Sequence, residues 1–348
     1  MSLLFLVHYT LPLIASLQLR QFGIDGKEYF TQDIFEPEYK VEEALNELSN
    51  EMNNIPSKEK QHYEKALGMS PEYVNSRNFR LKFLRAEEFN PKLAAARMAL
   101  HFEQKYELFG EDKLGRDIYM RDLNEDDMDC LKTGYLQVLK ELDFGNRRVI
   151  FYYRALHGNY KHRDNLLRTY WYVTNVLSQQ EDVQKLGLAN VVYNLGGYYP
   201  EGGMDWEKSR RLAKLFRATP LRMCSFYPCI DTKAWTIVVD TFSVVMSKWL
   251  RFRLRAIKGS HDEVMLKLKA VGIPVEALPV NDKSELIVDD HLAWIEEQQK
   301  KEEEEDHLEP ARKKARAWHD APIAVQAMYE TDALSKLCTT SSSFYTVG

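Results

Sequence analysis

The sequence predicts an α/β protein that opens with an all-helical bundle, and three observations carry that expectation. Helix signals follow one another without a strand signal from Glu36 to Gly110. A strand pattern, 188–197, then sits between helical patterns at 163–180 and 205–217. Finally, an apolar stripe of helical period, Trp235, Val238, Val239, Phe242, Val245, Met246 and Trp249, passes within two residues into a period of two at Arg251–Ile257.

Taken in order, the first helix is expected from about Pro37 to Asn53. A second opens at Pro56 and ends near Gly68, and a third begins at Ser70-Pro71-Glu72 with serine as its cap and proline in the first turn. Asn90-Pro91 opens a fourth, which Gly110 closes. Glu125–Phe144 reads as one further helix, and Arg147–Leu156 as strand or helix. The 235–249 stripe is widened by Ile237 and Val244, which predicts apolar neighbours on more than one side. Arg251, Arg253 and Arg255 would then share one face of a strand, opposite Phe252, Leu254 and Ala256. An apolar helix joined to a row of guanidinium groups suits a ligand with an apolar body and an anionic head. The same pattern also fits a core helix followed by a charged sheet edge.

Composition narrows the function classes. The 348 residues are 45% hydrophobic and 12% aromatic, enough for a sizeable core. Forty-seven basic against 52 acidic residues give a net charge of -5, so no overall field draws nucleic acid, and an anionic partner must be met locally. Cys130, Cys224, Cys229 and Cys338 form neither a disulfide framework nor a metal-ligand spacing; Cys224 and Cys229 read as small buried thiols. No Gly-x-Ser-x-Gly elbow, His-Glu-x-x-His pair or Gly-x-Gly-x-x-Gly loop is present, and His157 and His162 lack companions that would complete a site. The expectation is a protein without catalytic residues, cofactor or metal. The apolar run at 1–19 lacks an early Lys or Arg and is interrupted by Pro12, so a peripheral anchor, a targeting remnant and an unreliable start site all stay open. Past 285, Ile295–Asp306 reads as a charged helix or solvated run that Pro310 breaks, the basic Arg312–Arg316 follows, and the tail as a whole reads as charged and disordered towards Thr339–Ser343.

Several stretches resemble the CRAL-TRIO family of phosphatidylinositol-transfer, tocopherol-transfer and retinaldehyde-binding proteins. They are Arg80-Leu81-x-Phe83-Leu84-Arg85-Ala86 with Phe89 and Ala94; Asp112-x-x-Gly115-Arg116; the 188–197 strand; and Pro220, Arg222 and Tyr227. The resemblance covers roughly residues 70–280. Asp117 stands where the family has proline, Asn194 where it has aspartate, and Leu221 where its inositol-binding members have an acidic residue. The resemblance implies a segment 1–35, a helical region 36–110, a lipid-binding domain 111–285 with a mixed sheet flanked by helices, and a tail 286–348. It makes 235–249 a lid helix over an apolar pocket and 251–257 the pocket's floor. The implied function is to bind one lipid-like molecule, a phospholipid or a less polar lipid, and to exchange it at membranes. The partners expected are that hydrophobic molecule and a transient membrane surface, with no nucleic acid. The implied protein is a monomer, cytoplasmic and peripherally membrane-associated, serving intracellular transport. Arg253 is the candidate for a head group, and Tyr193, Phe226, Trp235, Phe242 and Trp249 for the apolar body. The alternative is a regulatory or interaction scaffold of the same fold without bound lipid.

Overall fold

The computed structural model describes residues 36–153, 163–196, 206–245 and 253–319. The chain divides into two compact units, Met1–Ala293 and Trp294–Gly348, and the first holds both the helical bundle and the sheet.

The bundle comprises α1 (Glu38–Asn54), α2 (Gln61–Met69), α3 (Pro71–Val74), α4 (Arg77–Ala86) and α5 (Pro91–Phe109). The third expected helix is in fact two. It stops after one turn, and α4 restarts behind Ser76, whose Oγ accepts from the Phe79 N–H at 3.3 Å; Ser70 makes no such cap. Asn90 and Gly110 bound α5 as expected: the Asn90 Oδ1 accepts from the Leu93 N–H at 3.1 Å, and Gly110 takes φ +83°. Phe79, Phe83, Leu84, Met98 and Phe102 form the bundle's core. Polar clamps tie it to the rest of the unit. Arg97 donates to the Thr219 carbonyl at 2.7 Å, Lys82 to Gln179 at 2.9 Å, and Arg85 to Gln184 at 2.6 Å.

Past the bundle come α6 (Glu125–Lys132), β1 (Leu136–Leu142), β2 (Arg148–Tyr153), α7 (Arg163–Ser178), α8 (Glu181–Leu186), β3 (Leu188–Asn194), α9 (Trp206–Ala218), β4 (Met223–Ile230), α10 (Lys233–Val245), β5 (Ile257–Lys258), α11 (His261–Ala270) and α12 (Asp289–His319). The sheet runs β1-β2-β3-β4-β5, with β1 antiparallel to β2 and every other pair parallel. This is an α/β fold with a mixed sheet, as expected.

Three expectations are corrected. The helix 125–144 ends at Lys132; Gly134 turns the chain at φ +70°, and Leu136–Leu142 become a strand because pairing with β2 outweighs the helix preference of Gln137, Lys140 and Glu141. The seven-residue basic strand does not form. Arg253 is helical, Leu254 makes a single bridge to Phe226, and only Ile257 and Lys258 pair with β4, so Arg253 and Arg255 do not share a strand face. The stretch expected to be a disordered tail is helical over Asp289–His319 and continues through Pro310. Residues 1–35, Arg251, Phe252 and Trp249 lie outside the described residues.

The start of β3 shows how closely the parallel strands approach. Gly187 has φ +80°, and a Cβ there would lie 2.5 Å from the Cys224 Sγ and 2.6 Å from the Arg222 carbonyl oxygen. A Gly187→Ala substitution is expected to lower unfolding stability by about 2–4 kcal/mol, from the left-handed backbone and the clash together. Urea denaturation measures it.

Candidate functional site

Every residue of β3 is buried, so its alternating side chains divide between two covered faces. Ala189, Val191 and Tyr193 point to one face, together with Val149 and Phe151 of β2 and Tyr227 and Cys229 of β4. This first face packs on Val264 and Leu268 of α11 and on Ile273 and Leu278 beyond it. Asn190, Val192 and Asn194 point the other way, in register with Tyr152, Phe226, Pro228 and Ile230. This second face is covered by Phe216 of α9, whose ring centroid lies 5.9 Å from that of Phe226, and by α10.

The two faces pack differently. Ala189, Val191, Phe151 and Tyr227 are 0% exposed, whereas Tyr152, Val192 and Phe226, neighbours across three strands, keep 6%, 7% and 7%. These three residues thus keep a small accessible area on the second face, similar in extent to that of Ile257, Val271 and Leu278 in the first-face cluster. Trp235, Val238 and Val239 of α10 close against Ile230 and Leu254, and this small cluster is separate from the core of the first face. Ile237, expected to find a second apolar neighbourhood, is instead 67% exposed on the outside of α10. The helix is thus amphipathic, buried along one stripe and greasy at one outward position.

The sequence candidates fall into three places. Phe226 and Trp235 belong to the second face. Phe242 lies on α10, with its side chain outside the described part, as is Trp249 altogether. Tyr193 lies on the first face, away from them, because one residue of register reverses direction. There its hydroxyl lies 2.8 Å from the His261 Nδ1 and donates to the Ser284 Oγ at 2.7 Å; the Tyr153 hydroxyl donates to the Ser284 carbonyl at 2.8 Å. This knot ties the chain after α11 to the sheet. Burial is the main reason the Tyr193 hydroxyl is pushed up to about 12.

Arg253 stands apart from both faces. Its guanidinium lies 3.5 Å from the Glu88 Oε1, and Arg222 approaches the same oxygen at 3.6 Å. Glu88 is aimed there by a left-handed backbone, φ +52°, just after α4. Arg222 is anchored by donating to the Lys185 carbonyl. Burial lowers the Arg253 guanidinium from its ordinary value, while the Glu88 and Glu87 carboxylates act the other way. Glu88, Val192 and Tyr152 were not among the sequence candidates. Strict alternation along β3 was the available signal for Val192; nothing in the local sequence announced the left-handed turn at Glu88. Both central cysteines are buried, and burial pushes the Cys229 thiol up, as small structural thiols require. Among the described residues no cluster of His, Cys, Asp or Glu could hold a metal ion.

Fold and site together define an α/β protein whose mixed sheet is covered on one face by α9 and the amphipathic α10. No family model and no curated protein matches the chain. A solved structure described as the crystal structure of Sfh5 is similar to it over 61% of this chain and 80% of that chain, at 10% identity and a TM-score of 0.37.

The Tyr193 knot titrates. A tyrosine whose folded pKa lies above its unfolded value of about 10 contributes stability that is complete below pH 10 and is lost as the pH rises towards 12. Tyr193→Phe is therefore expected to lose stability at neutral pH through its two broken contacts, by about 1–3 kcal/mol. It should also show a shallower decline than the parent chain between pH 10 and 12, measured by urea midpoints across that range.

Proposed function

We propose that the chain binds one hydrophobic, lipid-like molecule between the second sheet face and α10, and exchanges it at membrane surfaces as a member of the CRAL-TRIO family. The residual accessibility of Tyr152, Val192 and Phe226 carries this reading, since Val149, Phe151, Ala189, Val191 and Tyr227 on the opposite face have none. An acyl or isoprenoid chain laid on that strip would gain roughly 0.8 kcal/mol for each methylene removed from water. No covalent step is required. Exchange needs α10 to leave the sheet. Its anchor is a handful of side chains around Trp235 rather than the main core, so its release costs a fraction of global unfolding. At a bilayer, Ile237 enters the interface and the stripe that had faced the sheet follows it. No described helix is long and apolar enough to cross a membrane, which fits contact by an interfacial helix. Arg253 and Arg222 supply the cationic neighbourhood for a polar head. We take the chain to act as a cytoplasmic, peripherally bound monomer.

One observation favours the scaffold reading: Glu88 already engages Arg253, so the cationic group has a partner within the protein.

Organic extraction of purified protein followed by mass spectrometry separates the two. The carrier is expected to release one lipid per chain, and Val192→Trp, which fills the strip, to fold with less than a tenth of that lipid. Protein that is clean when purified and stays empty after incubation with vesicles would sink the carrier reading. Ile237→Asp is expected to bind lipid in normal amount yet slow its transfer between liposomes by tenfold or more. Stopped-flow dequenching of a labelled lipid reads that rate. An unchanged rate would remove α10 from the membrane contact.

A further inference from the structure

Building on the carrier reading, we infer that Asn194 selects the ligand's polar end: its side-chain carbonyl oxygen accepts a hydrogen bond from a hydroxyl group, so the cargo is a hydrophobic alcohol rather than a hydrocarbon, ether or simple ester. Asn194 is 4% exposed, at the carboxyl end of β3, on the face that α10 covers. Its orientation is fixed. The amide nitrogen donates to the Val192 carbonyl at 3.0 Å and to the Cys229 carbonyl at 3.2 Å. Turning the amide over would set an oxygen against two carbonyls, so the acceptor end has to face the other way. No donor among the described residues reaches that oxygen.

The other asparagine on this face makes the contrast. Asn190, four residues earlier, accepts from the Tyr152 hydroxyl at 3.2 Å and donates to the Ser225 carbonyl at 3.1 Å. Its carbonyl is served by a tyrosine of the neighbouring strand, whereas across from Asn194 on β4 stands Ile230, which has no donor to offer. A buried acceptor without a partner costs about 1–3 kcal/mol, a cost that a ligand donor would recover and an isosteric ligand without one would not.

The test uses the full chain stripped of lipid and two probes, a pyrene-labelled long-chain alcohol and its methyl ether, titrated by pyrene emission. The native chain is expected to bind the alcohol about tenfold tighter than the ether, the equivalent of one hydrogen bond. Asn194→Leu should bring the ratio to about one while keeping the ether affinity. Asn194→Ala gives the same readout should the leucine variant fail to fold. Equal binding of both probes by the native chain overturns the role of Asn194 and leaves the carrier reading standing, as does a preference that survives in the folded variants. Binding of neither probe overturns both.

Discussion

The fold depends on one constraint, the burial of β3 on both sides. A central parallel strand covered above and below cannot send a side chain to water, so each of its seven residues is committed to one of two interiors. The first is filled to the limit by α11 and the segment after it. The second is covered by α9 and α10, the helices on either side of β4 in the chain.

Polar groups gain their meaning from the same division. Tyr193 and Asn194 are adjacent in sequence and separated by the thickness of the sheet. The tyrosine hydroxyl finds His261 and Ser284 and becomes part of the scaffold. The asparagine finds only backbone carbonyls for its nitrogen and is left with an acceptor facing the looser side. The bundle serves the arrangement from outside: Arg97 clamps the end of α9, Lys82 and Arg85 hold the α7–α8 segment at Gln179 and Gln184, and Glu88 reaches from the bundle to Arg222 and Arg253.

Much of the fold was legible because its signals are local. Asparagine and proline at 90–91 set the start of α5, and the helical stripe from Trp235 identified α10. Less of the site was legible. Phe226, Trp235 and Tyr193 were named together through the family resemblance; Phe226 and Trp235 lie on the second face, whereas strand register turns Tyr193 to the first. The Arg251–Ile257 alternation was a true period of two in sequence, yet among the described residues Arg253 is helical, Leu254 makes an isolated bridge to Phe226, and a ladder with β4 begins only at Ile257.

What the sequence determined by itself was the order of helices and most strands, the absence of the common catalytic motifs, and the presence of one strongly apolar helix near a run of arginines. These follow from composition, spacing and capping, which act within a few residues of the chain. Tertiary structure decided which residues share a face, which guanidinium meets which carboxylate, and which buried amide lacks a partner. Those outcomes are set by strand register and by contacts between segments a hundred or more residues apart, where a shift of a single position sends a side chain to the opposite interior.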